Sequence, residues 1–283
     1  MLPSDVHLLE LLEATGLSDR PYWSGSSMGF LYRNREYRLD TPLDLLRFGA
    51  LPFLDRLRVG FTGVYGAAVR NGDPLDDVTA EDWLTKLSGK RAFQRFWKPL
   101  LEAKFGDAYD QVPARWFWTR FRREKGGSKE VKGYPRGGYR ALADGIAKSL
   151  TARGAEICVS TVVDRMEFDP DGRPVLATSM GTEAFDQVLS TLPLTQLAAL
   201  MDEDALPERV RRASQGIDYQ GVVNVVVLLR KSVIKPYWMP VVECDAPFQG
   251  VVEATRVIDR SETGGHHLVY LMNYVHRSHD LFS

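Results

Sequence analysis

Gly137-Gly138, closing the run Gly133-Tyr134-Pro135-Arg136-Gly137-Gly138, offers the clearest chemistry in the chain. Paired glycines before a helix let backbone approach a flat ligand. The helix N-terminus behind them presents free N–H groups and the positive end of its dipole. A structural turn is the competing reading of the same two residues. Gly60-x-x-Gly63-x-x-Gly66 is the other glycine series, but its spacing is wrong for a GxGxxG nucleotide loop and it sits inside a helical pattern. Small residues that let helices approach closely explain it better.

Arg115-Trp116-Phe117-Trp118-Thr119-Arg120-Phe121-Arg122-Arg123 mixes cations and aromatics. Such a mixture serves a core helix with a solvated arginine face, or holds an anionic lipid or pyrophosphate. Stacking on nucleic acid is the weakest reading, because the net charge is −1 with a pI near 6.5 and no broad basic field exists. His266 and His267 are adjacent, so a strand would point them to opposite faces. His276 and His279 lack carboxylates at ligand spacing, and no metal site is expected. Thr191 has no neighbouring base to activate it. Cys158 and Cys244 lie in apolar runs and read as small core residues.

Residues 45–59 alternate large apolar side chains with Arg47, Arg56 and Arg58. They suit a core-facing amphipathic helix pair, or a membrane interface with arginines reaching toward headgroups. No stretch approaches the ~20 apolar residues of a membrane span, and Met1-Leu2-Pro3-Ser4-Asp5 does not resemble a secretory signal. A cytoplasmic protein, or one peripheral to the inner face of a membrane, is expected. The 283 residues suffice for one large or two small domains, and 44% hydrophobic with 26% charged residues is ordinary for a folded chain.

The elements that must carry these residues follow from periodicity. Ser4 precedes a leucine-rich helix ending at Gly16, and residues 28–39 read as a hairpin turning at Asn34. Thr41-Pro42 opens a helical stretch to about Arg70 that Pro52 interrupts, and Thr79 starts a capped helix. The aromatic-rich helix that follows should kink at Pro99, and another begins at Pro113. Gly126-Gly127-Ser128 is the best candidate for a flexible loop. Tyr139 to Arg153 is a helix closed by Gly154, followed by strands near 155–159, 162–168, 173–179 and 184–191. After a helical patch at 194–213, strands are expected at 221–230, 237–243, 249–257 and 267–275. The β-branched run Gly221–Arg230 suggests burial on both faces.

The order from GYPRGG through a helix, Gly154-Ala155-Glu156-Ile157-Cys158-Val159, Val162-Val163 and Phe185-Asp186-Gln187-Val188-Leu189-Ser190-Thr191-Leu192-Pro193 resembles the middle of FAD-dependent amine-oxidase-like proteins. Enzymes of the phytoene-desaturase, protoporphyrinogen-oxidase and UDP-galactopyranose-mutase types belong there. The resemblance implies an α+β fold: a helical and mixed-sheet substrate domain with an inserted helix plus β-meander from an incomplete FAD-binding domain. The expected division is 1–130 (helical part of the substrate domain), 131–200 (partial FAD-binding domain) and 201–283 (its β-sheet part). By position, Val163 with Val162 would hold the adenine, Gly137 and Gly138 would lie near the flavin, and Thr191 and Pro193 would return to the cofactor domain.

The implied activity is hydride transfer from an apolar or isoprenoid-like substrate to FAD. Sugar-nucleotide mutase chemistry and a non-catalytic lipid- or partner-binding module are the alternatives. Tyr270, Asn273 and Tyr274 are placed on a strand that would face the flavin. The family's GxGxxG motif and its C-terminal flavin-binding glycines are not found in the 283 residues. On that reading the chain is a fragment, FAD binding is weak or absent, and a complementing second chain is a partner.

Overall fold

A computed structural model describes residues 1–17, 21–123, 131–276 and 279–280; Gly126-Gly127-Ser128 lie outside them. In chain order the helices are α1 (Val6–Ala14), α2 (Pro42–Leu46), α3 (Phe53–Ala68), α4 (Ala80–Ser88), α5 (Lys90–Ala92), α6 (Lys98–Phe105), α7 (Ala114–Arg123), α8 (Gly138–Ala152), α9 (Leu194–Ala199) and α10 (Glu208–Gly216). The strands are β1 (Tyr22–Gly25), β2 (Gly29–Tyr32), β3 (Arg35–Arg38), β4 (Val131–Tyr134), β5 (Val163–Phe168), β6 (Pro174–Thr178), β7 (Gly181–Ala184), β8 (Gln220–Leu229), β9 (Trp238–Val242), β10 (Gly250–Glu253) and β11 (His267–His276). The fold is α+β, as expected. Two compact units form, one from Met1–Ile146 with Gln220–Ser283 and one from Ala147–Tyr219.

In the larger unit, six strands run in the order β3-β2-β9-β10-β11-β8, and β1 pairs with β4 separately. The six-stranded sheet is mixed: β2 lies parallel to β9, and the other pairs are antiparallel. Arg33 and Asn34, both at positive φ, turn the tight hairpin between β2 and β3. Thr41 caps α2 through a reciprocal bond pair with Asp44, and Thr79 caps α4 through the N–H of Asp82.

A π-turn at Phe93–Trp97 precedes α6. Pro99 lacks an N–H, and its ring would crowd the Arg95 carbonyl in a regular helix, so the wider turn relieves that conflict. The turn buries Phe93, Phe96 and Trp97 together. Phe96 stacks on Phe30 at 5.8 Å and meets Phe48 edge-on at 5.8 Å, which ties the helices to β2. Trp97 in turn meets Phe117 and Phe121 of α7 edge-on at 5.3 and 5.8 Å.

Two buried carboxylates anchor this unit. Asp55, 1% exposed, accepts from Arg91 in a two-pronged pair, with Arg58 at 3.5 Å. Glu253 on β10 accepts from the Ser232 hydroxyl at 3.0 Å and the N–H groups of Val233 and Ile234 at 3.1 and 3.3 Å. His267 Nδ1 lies 2.9 Å from its other oxygen. Burial pushes the Glu253 carboxyl up, but these donors outweigh it and hold the group below its ordinary value.

The smaller unit holds the antiparallel meander β5-β6-β7 with α9 and α10. Several sequence expectations change here and in β8. Residues 155–159 form no strand, and β7 ends at Ala184, so 185–191 is irregular. Cys158 is exposed and Cys244 half-buried, so neither is a core residue. β8 is an edge strand bonded to β11 alone, and Val222, Val225, Val226 and Leu228 are exposed. A β-branched run specifies extended backbone; burial needs covering layers, which its composition does not guarantee.

Because its folded value is depressed, Glu253 stabilises the fold fully above its unfolded value of about 4.3, and that contribution is lost as pH falls through the lower folded value. Glu253→Gln should cost about 3 kcal/mol at neutral pH. Its melting temperature should also fall less steeply than the wild type's between about pH 5 and about pH 3. Thermal melts across that range check both outcomes.

Candidate functional site

α3 is seated against α7 by small and polar residues. A Cβ on Gly66 would lie 2.4 Å from Phe121 Cδ2, so only glycine permits this approach. Gly60 would meet only Leu45 at 3.5 Å, and Gly63 has nothing within 4 Å. Helix packing therefore accounts for Gly66, whereas Gly60 and Gly63 leave space. That space belongs to a cavity of about 670 Å³ bounded by α2, α3, α6, α7 and Trp238 of β9.

Its wall is apolar and aromatic, with Leu57, Phe61, Phe96, Trp97, Trp116 and Phe117 among the lining residues. Such size and lining suit a small apolar ligand. A few polar groups interrupt it. Arg56 is committed to the carbonyls of Leu51 and Leu46 at 2.7 and 2.5 Å. Lys104 donates to Tyr274 Oη at 2.8 Å, its ammonium 4.1 Å from the ring centre. Arg120 lies over the Trp116 ring at 5.2 Å. Lys104, anchored by Tyr274, thus places a cation at the boundary of a largely apolar space, which Asp40 and Thr41 also line.

A second cluster surrounds the Gly137-Gly138 turn. Both glycines adopt positive φ, 75° and 72°, and Gly138 has open space where a Cβ would stand. Gly137 donates its N–H to Glu262 at 3.1 Å, and Glu262 also accepts from Tyr22 at 3.0 Å. Arg136 donates to Tyr22 Oη at 3.0 Å and lies 4.2 Å from its ring centre. Tyr134, paired with Tyr22 across β1 and β4, shares a hydrogen bond with Tyr237. Burial raises the phenols of Tyr270 and Tyr139, and Tyr134 adds to both shifts.

Gly137 and Gly138 stand in the larger unit, at the start of α8. Val162, Val163, Thr191 and Pro193 belong to the smaller one. Val162 is exposed and precedes β5; Val163 opens that edge strand opposite Thr178. Thr191 is exposed in the irregular segment, and Pro193 is the N-cap of α9. On β11, Tyr270 and Tyr274 share one face by alternation and Asn273 takes the other. Asn273 is bonded to Gln249 N at 3.1 Å and Pro247 O at 2.9 Å. Sequence reasoning missed Lys104 and Glu262. Lys98 lies in the same helix as Lys104, so nothing in the sequence singled Lys104 out, and no local pattern marked Glu262.

The chain belongs to the flavin containing amine oxidoreductase family, whose model matches residues 1–282. Among solved structures it is similar to an oxidoreductase from Methanosarcina mazei, at 14% identity and a TM-score of 0.70, over 95% of this chain and 64% of that one. A reduced UDP-galactopyranose mutase matches at 16% identity and 0.64, over 90% of this chain and 58% of that one. A triple mutant of putrescine oxidase matches at 14% and 0.63, over 97% and 63%. No curated protein matches. These identities show the fold alone, and the chain spans about three fifths of the length of the structures it matches.

The cavity and the helix seat separate cleanly by mutation. Gly66→Leu should destabilise the fold by roughly 1–3 kcal/mol through overpacking against Phe121. Gly63→Leu should leave the melting temperature nearly unchanged while filling the cavity, so that an apolar fluorescent probe binds about tenfold more weakly.

Proposed function

We propose that this chain serves an FAD-dependent oxidoreductase acting on an apolar or isoprenoid-like substrate, which the cavity beneath α3 would hold. The 670 Å³ apolar cavity in a member of a flavin-containing family is the observation that carries this reading. Two features of the chain fit the cofactor. Gly138, at positive φ with no neighbour within 4 Å, leaves room for a flat group to approach the turn. Val163 opens an edge strand, with Val162 exposed before it, so backbone there can meet an adenine. Gly137, Gly138, Val162 and Val163 would hold FAD, with Thr191 and Pro193 in the returning segment. FAD, when bound, supplies the acceptor for a hydride leaving a substrate C–H bond.

The protein's own part is orientation and exclusion of water. Trp97, Trp116 and Phe117 exclude water from the apolar body of a substrate. Lys104, held by its bond to Tyr274, lines the cavity and offers a donor to a polar end group. The α7 arginines give less support to a pyrophosphate clamp. Arg115 is paired with Asp73 and Asp76 at 3.0 and 2.5 Å, and Arg122 lies over Trp118.

Trp97, Trp116 and Trp238 line the cavity and report its occupancy. Titration with an isoprenoid alcohol such as farnesol should quench tryptophan emission to saturation, whereas a UDP-sugar should not. Saturable binding of the UDP-sugar alone would overturn the oxidoreductase reading in favour of mutase chemistry. Flavin fluorescence should quench on adding the chain to FAD only at high chain concentration, as the weak binding expected from the sequence requires, and Gly138→Val should weaken it by a further factor of about ten through backbone strain and a filled approach.

A further inference from the structure

α3 is amphipathic in the inverted sense. Its buried arc carries Asp55, Val59, Thr62 and Gly66, two of them polar and one without a side chain. The opposite arc carries Phe53, Leu54, Leu57, Phe61, Val64 and Tyr65, all exposed, with Leu54 at 64% and Val64 at 71%. Leu43 and Leu46 of α2 are exposed too. An apolar face this contiguous is far from the scattered exposed leucines of an ordinary surface.

The exposed charges over residues 41–70 have one sign. Over residues 41–70 the cations are Arg47, Arg56, Arg58 and Arg70, and the only carboxylates are Asp44 and Asp55. Both carboxylates are engaged inward. Asp44 caps Thr41, and Asp55 is buried under Arg91. Arg47, Arg58 and Arg70 are exposed. The cavity also opens here, since Leu57, Phe61 and Val64 both line it and face outward.

We propose that the outward face of α3, with the end of α2, docks on an anionic lipid surface. The apolar arc enters the boundary between headgroups and acyl chains, and the arginines meet lipid phosphates. An apolar ligand then passes from the acyl layer into the cavity without crossing water. Charge decides against a second copy of the chain as the occupant. A two-fold interface through this face would bring the same arginines in from both sides, with no exposed carboxylate on α3 to meet them.

Flotation of the full chain with phosphatidylcholine vesicles, with and without phosphatidylglycerol, tests the docking. Flotation is expected with the anionic vesicles and should decline at high salt. Phe53 and Leu54 do not line the cavity, so Phe53→Ser with Leu54→Glu separates docking from cavity filling. That double variant should keep the wild-type melting temperature and lose vesicle partitioning by at least about tenfold. Arg47→Gln with Arg70→Gln should weaken binding to anionic vesicles only. A chain whose melt shows it folded but which floats with neither vesicle overturns the proposal, as does flotation indifferent to the Phe53/Leu54 change. A lipid-free dimer in sedimentation that Leu54→Glu dissolves would assign the face to a second copy instead.

Discussion

A Cβ placed on Gly66 would come within 2.4 Å of a ring carbon of Phe121, and the larger unit is organised around that closeness. α3 can lie this near α7 only with small and polar groups inward. The Asp55 carboxylate is acceptable there because Arg91 grips it in two places, holding it below its usual range against the burial that pushes it up. Seating the helix by its small side leaves its large side chains outward or over the gap beside α2. The cavity and the exposed apolar arc are thus two results of one packing choice.

The sheet side of the unit is held differently. Phe30 contributes an aromatic ring from β2 into the helical core, so the sheet and helices share one cluster with Phe48, Phe96, Trp97 and Phe117. Glu253 acts as a polar pin on the other side. Its two oxygens collect donors from the segment at 232–234 and from β11, connecting β10 to two segments whose donors lie 14 to 21 residues from it. Losing one partner of such a buried carboxylate costs more than the contacts add in net stability.

Much of the fold was legible because local rules carried it. Thr41-Pro42, Thr79, Asn34 and Gly154 marked turns and caps that the structure contains, and Pro99 marked a disturbed helix. What failed had a common cause. The run at Gly221–Arg230 announced a strand but not its place at the edge, since neighbours in a sheet are set by distant chain. Residues 155–159 and 185–191 had strand composition without a partner strand to fix them. The candidate site was half legible. Gly137-Gly138 stood out through glycine geometry, whereas the cavity depended on which face α3 turned inward. The hydrophobic pattern of α3 points the wrong way, because its apolar arc is the exposed one and its buried arc carries Asp55, Thr62 and Gly66. The pairing of Lys104 with Tyr274 spans 170 residues and had no local signature.

The π-turn at Phe93–Trp97 has a consequence beyond relieving Pro99. One extra residue per turn shifts the angular phase of everything downstream by about 100° relative to an unbroken α-helix. Lys104 reaches Tyr274 in that shifted phase. The turn therefore works as a phase adjuster that sets where Lys104 lies relative to Phe93 and Phe96 before it. Deletion of a single residue there would preserve helix length almost unchanged while rotating the ammonium away from its phenol. In this molecule the polar corner of the cavity is stored as an insertion in a helix, rather than as the identity of any one side chain.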